Sequence, residues 1–214
     1  LAGDWRLLIE IVSIGSMVLG SLAAIGQTNF KRLMAYSAIG HMGYTLIGLA
    51  AGTEAGLRGA LVYLVVYVFM NVGIFAGIIA MRRRGRSFEN ISDLAGLAHT
   101  DRGLALGFAI FLFSMAGIPP LSGFFGKLYV FLAAVQAGMW VLAVIGVLTS
   151  VIGAYYYIHI VKVMYMDPAA PAIDARPATI SFVAVTAGLF TMFFFLFSGP
   201  VVAGAQAAAQ VLLG

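Results

Sequence analysis

The sequence predicts an all-α polytopic membrane protein of six transmembrane helices, the fourth discontinuous at residues 117–120. Three observations predict it. Hydrophobic residues make up 62% of the chain and charged residues only 9%, against about 25% charged in a soluble domain; the mean hydropathy is +1.03. Six apolar stretches are each long enough for a bilayer core, which takes about 20 helical residues. Finally, Pro119 and Pro120 stand inside one of those stretches, where each disfavours helical geometry at its own position or the one before.

The first stretch covers about 5–25 and ends at the polar turn GQTNFKR. The second covers about 33–51, and the loop GTEAGLR leads to the third, about 59–81. The one strongly polar segment follows, RRRGRSFENISDLAGLAHTDRG. The fourth stretch, about 104–135, is closed by Gly138, and the fifth covers about 140–166. The loop DPAAPAIDARP precedes the sixth, about 178–197; the Ala-rich tail beyond Ser198-Gly199-Pro200 reads as a short extra turn or a frayed end. No strand pattern is present. Trp5, Trp140, Tyr155, Tyr156, Tyr157 and Tyr165 lie near helix ends, as an interfacial aromatic belt would place them. Small residues such as Gly15, Ser16, Gly20, Gly73 and Gly77 let membrane helices approach closely.

Lysine and arginine placement sets the orientation. With alternating spans, one side collects Lys31, Arg32, Arg82, Arg83, Arg84, Arg86, Arg102, Lys162 and Arg176, and the other only Arg6 and Arg58. The loop at 82–86 is therefore expected on the cytoplasmic side and both chain ends on the opposite side. The same placement explains the net charge of +4 without nucleic acid. The chain has no cysteine, which excludes disulfides, iron–sulfur clusters and thiolate zinc within it. Its three histidines lack HxxH or HExxH spacing, so no metal or haem site is expected. Leu1 is not a methionine, no basic n-region precedes the first span, and the chain opens directly on that span; a piece of a longer protein is expected.

The chemistry centres on the fourth stretch. Its 32 residues would make about 48 Å of continuous helix, against a hydrocarbon core of about 30 Å. SMAGIPPLSG interrupts it, with Gly117 and Gly123 either side of Pro119-Pro120. The reading is two half-helices joined by an unwound segment whose freed carbonyls need water or polar side chains, the arrangement transporters use at ion sites. Lys127 begins the second half and is the one charge between residues 104 and 140. An ammonium there costs about 3 kcal/mol or more unless hydrated or paired. Gly138 lies eleven residues on, roughly 16 Å of helix, too far for a lysine stem to snorkel. A lysine so placed loads and releases a proton as its surroundings change, which is what a relay needs.

Other polar groups extend the candidate relay. His41 lies mid-span among Tyr36, Ser37 and Tyr44 and suits either a proton shuttle or a hydrogen bond between helices. Tyr63, Tyr67 and Asn71 fall at i, i+4, i+8 on one face,, for a hydrated path or for packing. Ser114 and Ser122 flank the break and are expected to bind water. Thr149, Ser150, Tyr156 and His159 share the fifth span; Lys162 snorkels at its end. Glu10, one turn inside the first span, suits an interfacial position or a functional one.

QTNFKRLMAYSAIGHMGY, AGIPPLSGFFGKLYVF and SVIGAYYYIHIVKVMYM resemble, in order, segments of the antiporter-like membrane subunits of complex I, the proton-pumping NADH–quinone oxidoreductase. The first segment is shared with related antiporter and hydrogenase membrane subunits. GIPPLSGFFGK with the YYY helix looks like the branch called subunit N: Lys127 stands where branch M has glutamate, and VYLVVYVFMN lacks the histidine of branches L and M. The resemblance implies a fold of two inverted five-helix repeats, each with one broken helix. Residues 1–166 would be the second repeat and 167–214 a loop and last span, with Lys127 matching the family's lysine on the second broken helix. The first repeat, with its glutamate–lysine pair and central lysine, has no counterpart here. The family implies a respiratory proton pump of the bacterial plasma membrane. Its other membrane-arm subunits would be partners, and FMN, iron–sulfur clusters and quinone would sit on other subunits. The rival readings are a subunit of a cation/proton antiporter or membrane-bound hydrogenase, and a structural spacer of the membrane arm.

Overall fold

The computed structural model describes residues 2–83 and 85–213, the side chains of 2–4 apart; Leu1 and Arg84, used in the readings above, lie outside the described residues. The chain is helical almost throughout. Helix α1 (Ala2–Ile25) is followed by α2 (Phe30–Ala50) and α3 (Glu54–Ala80). A short α4 (Leu97–Thr100) precedes α5 (Arg102–Ala116) and α6 (Ser122–Gln136), and the chain closes with α7 (Trp140–Met166) and α8 (Ala178–Leu213). Among the described residues four helices are long and apolar enough to cross a membrane: Trp5–Ile25, Glu54–Ala80, Trp140–Met166 and Ala178–Leu213. Helix α2 has 21 residues but is diluted by Lys31, Arg32 and His41. Helices α5 and α6 have 15 residues each.

Capping explains the helix starts that periodicity placed several residues late. The side chain of Asn29 accepts from Arg32 N, so α2 begins at Phe30. The side chain of Thr53 accepts from Gly56 N, so α3 begins at Glu54. Each satisfies a backbone N–H that the first turn leaves without a partner.

Three connections knit together at one end of the bundle. Phe30 N donates to Glu89 O and Ile91 N to Thr28 O, tying 26–29 to 81–101. Gly96 N donates to Val163 O, Ala170 N to Ala95 O and Asp174 N to Arg82 O, which brings in 167–177. Arg176 pairs with Asp101. Two departures from the sequence reading lie here and at the tail. Arg82–Arg83 and Arg86–Ser87 pair as a minimal antiparallel hairpin, turned at Gly85 with φ 74°. The segment after Pro200 is not frayed: α8 continues to Leu213 past a kink at Phe197. Ala205 and Ala209 are buried there, while Gln206 accepts from Arg58 and donates to Glu54 at the opposite end of the bundle.

The aromatic residues divide. Trp5, Trp140 and Tyr155 are more than 60% exposed, as a belt requires. Tyr156 and Tyr157 are buried and belong to the interior, because α7 turns that face toward α2.

Candidate functional site

Helix α5 stops at Gly117, whose φ of 90° is a left-handed conformation that glycine adopts without strain. Gly117 N turns back to Phe113 O and Ser114 O. The Pro119–Pro120 peptide is cis, and Ile118, Pro119 and Pro120 are exposed on the flank of the bundle. Helix α6 then starts at Ser122.

The junction is pinned by Ser114. Its Oγ accepts from Gly123 N at 2.9 Å, meets Ser122 Oγ at 3.3 Å and donates to Met70 Sδ at 2.9 Å. One of the otherwise unpartnered N–H groups of the α6 start is thereby satisfied. Gly123 is required by space: a Cβ there would lie 1.9 Å from Ser114 O. Ser114 and Ser122 thus face each other and the backbone rather than the cavity described below.

Lys127 enters from the second turn of α6 and is 6% exposed. Its Nζ donates to Met115 O at 2.8 Å, to Ala116 O at 3.1 Å and to Ser150 Oγ at 2.8 Å. An ammonium has three donors, and all three are used. The face of Tyr44 lies 5.0 Å away, a favourable cation–π distance. Among the described residues no carboxylate pairs with Lys127. The negative end of α5 takes that place, with carbonyls that the terminating helix leaves without intrahelical partners. Gly117 also makes room, since a Cβ there would stand 3.1 Å from Lys127 Cδ.

His41 is 2% exposed and is held at both ring nitrogens. Nδ1 meets Tyr63 Oη at 2.7 Å and Nε2 meets Tyr157 Oη at 3.0 Å. Tyr157 Oη also bonds Ser37 Oγ. The ring of Tyr67 stacks on the imidazole at 5.1 Å. Tyr44 Oη donates to Thr149 Oγ1 at 3.2 Å. A cavity of about 10 Å³ is lined by both Lys127 and His41, together with Ser37, Tyr44 and Tyr157; that is room for about one water molecule.

The structure therefore brings Lys127, His41 and Tyr67 into one buried cluster. Asn71 lies half-buried one turn further along α3 and does not line the cavity. His159 is exposed and stacks on Tyr155, Lys162 pairs with Asp167, and Glu10 pairs with Arg6. From the sequence Ser150 was named only among the fifth span's polar groups and Tyr157 only in the aromatic belt; neither was tied to Lys127 or His41. A signal for them existed: Ser150, Gly153 and Tyr157 recur at i, i+3, i+7 on one face of the helix,.

The site is thus a buried amine on helix-end carbonyls and a histidine held between two phenols, with space for about one water between them. The profile of the family described as NADH:quinone oxidoreductase/Mrp antiporter, TM, matches residues 1–153. The chain belongs to that family. It is 65% identical over 214 residues to the NADH-quinone oxidoreductase subunit N of Granulibacter bethesdensis, an alignment covering 98% of this chain and 45% of that protein. A chain of respiratory complex I from Thermus thermophilus superposes with a TM-score of 0.80 at 31% identity, covering 92% of this chain and 44% of that one. A chain of the Mrp complex from Dietzia sp. gives a TM-score of 0.81 at 24% identity, with 98% of this chain and 49% of that one covered; this likeness speaks for the fold alone. The chain spans about half the length of the curated relatives it matches.

Proposed function

We propose that the chain is the second antiporter-like half of a proton-translocating membrane subunit of a bacterial NADH–quinone oxidoreductase. Lys127 is its proton-carrying group. The observation that carries the reading is the seat of Lys127: a buried ammonium on the carbonyl end of a terminated helix, joined by a cavity to a histidine between two tyrosines. Such a seat can release its proton to a water or hydroxyl without stranding a carboxylate partner. His41 and Tyr67 continue the route. Asn71, Ser114 and Ser122 act one step outside it, the serines by holding the junction.

In this reading there are six spans. Helices α5 and α6 are the halves of the fourth, broken at Gly117, Pro119, Pro120 and Gly123. Residues 1–166 form the repeat and 167–214 the loop and last span. The loop at 82–86 is cytoplasmic and the C-terminus faces the other side of the plasma membrane. Irregular backbone at Ile118–Pro120 is not tolerated against lipid, so its exposure in this chain supports a protein partner or water-filled space over it, in keeping with further membrane-arm subunits. Hydride, flavin, iron–sulfur and quinone chemistry belongs to other subunits; this chain is a non-redox part of the enzyme.

The test is Lys127→Ala in the intact complex. Loss of NADH-driven proton translocation is expected; full coupling and full turnover would reject the relay. Lys127→Arg separates charge from titration, because a guanidinium keeps its proton, and is expected to fail as Lys127→Ala does.

A further inference from the structure

A second cavity, of about 260 Å³, lies between α3, α5 and α8, away from the Lys127 cluster. Its glycines do two different jobs. Gly73 and Gly77 press on aromatic rings: a Cβ would come within 2.0 Å of Phe111 and 2.5 Å of Phe108, so these fix the rings as a floor. Gly107 has nothing within 4 Å of where a Cβ would stand, and Gly188 only the tip of Phe111 at 3.7 Å. These two hold the groove open instead of closing helices on each other.

The groove runs inward from the end where the three loops are knitted. Along α5 it is lined from Gly103 to Phe111, and along α8 from Ile180 to Met192. Those spans correspond to roughly 12 and 18 Å of helix, close to the depth of one leaflet of a hydrocarbon core about 30 Å thick. Its walls are apolar except at the outer end, where Arg176 and Ser181 stand. Arg176 pairs through Nη1 with Asp101 and donates from Nε to Ser181 Oγ at 3.0 Å. Its Nη2 stands over Gly103, 3.4 Å from where a Cβ would be. Loops and flanking helix turns together, the described residues at this end include eight lysines and arginines, Lys31, Arg32, Arg82, Arg83, Arg86, Arg102, Lys162 and Arg176, against five acids, Glu89, Asp93, Asp101, Asp167 and Asp174, so this end of the bundle is cationic.

We propose that this groove binds an anionic phospholipid, with one acyl chain along Gly107 and Gly188 and the phosphate on Arg176. An apolar slot of leaflet depth fits the chain, and the guanidinium at the cationic end of the bundle selects the charge of the headgroup. The site is independent of the proton route, so its failure leaves that reading untouched.

The experiment uses the intact complex in vesicles of phosphatidylcholine doped with photoactivatable phosphatidylglycerol. Labelling of the α5 and α8 peptides by the phosphatidylglycerol probe is the readout. Arg176→Gln and, separately, the groove-filling Gly107→Leu are each expected to lower labelling about tenfold, as loss of a charge-assisted contact or of the slot predicts. A phosphatidylcholine probe is expected to label the wild type far less. Equal labelling by the two probes, or labelling unchanged in both variants, overturns the proposal. A photo-crosslinker at Leu106 that captures a polypeptide instead of lipid also overturns it.

Discussion

Lys127 and Lys31 carry the same ammonium into opposite surroundings. Lys31 sits at the start of α2 with its side chain 41% exposed, and Glu89 faces it at 2.6 Å. Lys127 is buried and among the described residues meets no carboxylate, only two helix-end carbonyls, a serine hydroxyl and a tyrosine face. At the surface, water screens the charge and the pair adds little. In the interior every N–H must find an oxygen, because an unpartnered charged donor there costs several kcal/mol. The buried site is therefore complete but neutral on its acceptor side, and a proton can leave it without abandoning an opposite charge. The surface site is a fastener; the buried one is the carrier of the proposed relay.

The largest effect should come from removing the carrier. Lys127→Met replaces the buried amine by an apolar chain of similar length. Proton translocation should fall about 100-fold, the scale of a lost proton-transfer group, while the thermal midpoint of the complex holds or rises, since a buried ion replaced by a hydrophobe is often neutral or stabilising. A Met variant that pumps normally would erase the distinction between the two lysines.

Next is the seat. Gly123→Ala drives a methyl group into Ser114 O, which a Cβ would approach to 1.9 Å, and this contact is backbone that cannot rotate away. A loss of about 3 kcal/mol is expected, read as a lower unfolding temperature and poorer assembly. A milder probe is Ser150→Ala. It removes one of three acceptors and leaves a donor of a buried cation unpartnered, a penalty of about 1–3 kcal/mol. Translocation should slow and Ser150→Thr should restore it. If Ser150→Ala pumps as the wild type does, the hydroxyl is a bystander.

Much of this contrast was legible before any coordinates. A lone lysine in an uncharged run and a double proline eight residues earlier announce a broken apolar segment by the energetic rules of hydrocarbon. What holds Lys127 was not legible. Its partners are carbonyls of the preceding helix, and every residue has a carbonyl. Tyr157 was hidden for a different reason. In a YYY triplet near a helix end, only the rotation of α7 decides which ring meets lipid and which meets His41, and sequence periodicity is weak in a helix apolar all round. The tail beyond Pro200 carries no sequence signal of docking either, since alanine packs against a neighbour as readily as it frays. The 82–87 hairpin is too short for an alternating pattern to form.

The smallest effects belong to the fastener, and they test its side of the contrast. Lys31 and Asn29 hold the Glu89 carboxyl below its usual range, Lys31 contributing most. A carboxylate with a lowered pKa stabilises the fold above the unfolded value near 4.5 and loses that contribution as pH falls through the folded value. Above pH 5 the connection between 26–29 and 81–101 should therefore be indifferent to pH, and below about pH 4.5 it should loosen. Hydrogen exchange at Phe30 N and Ile91 N, which bridge the two segments, reads this directly. Lys31→Ala should speed that exchange modestly and flatten its dependence on acid, with no change in translocation at neutral pH. A Lys31 variant that stops pumping would mean that the surface ammonium also lies on the proton route, and the division between carrier and fastener would have to be redrawn.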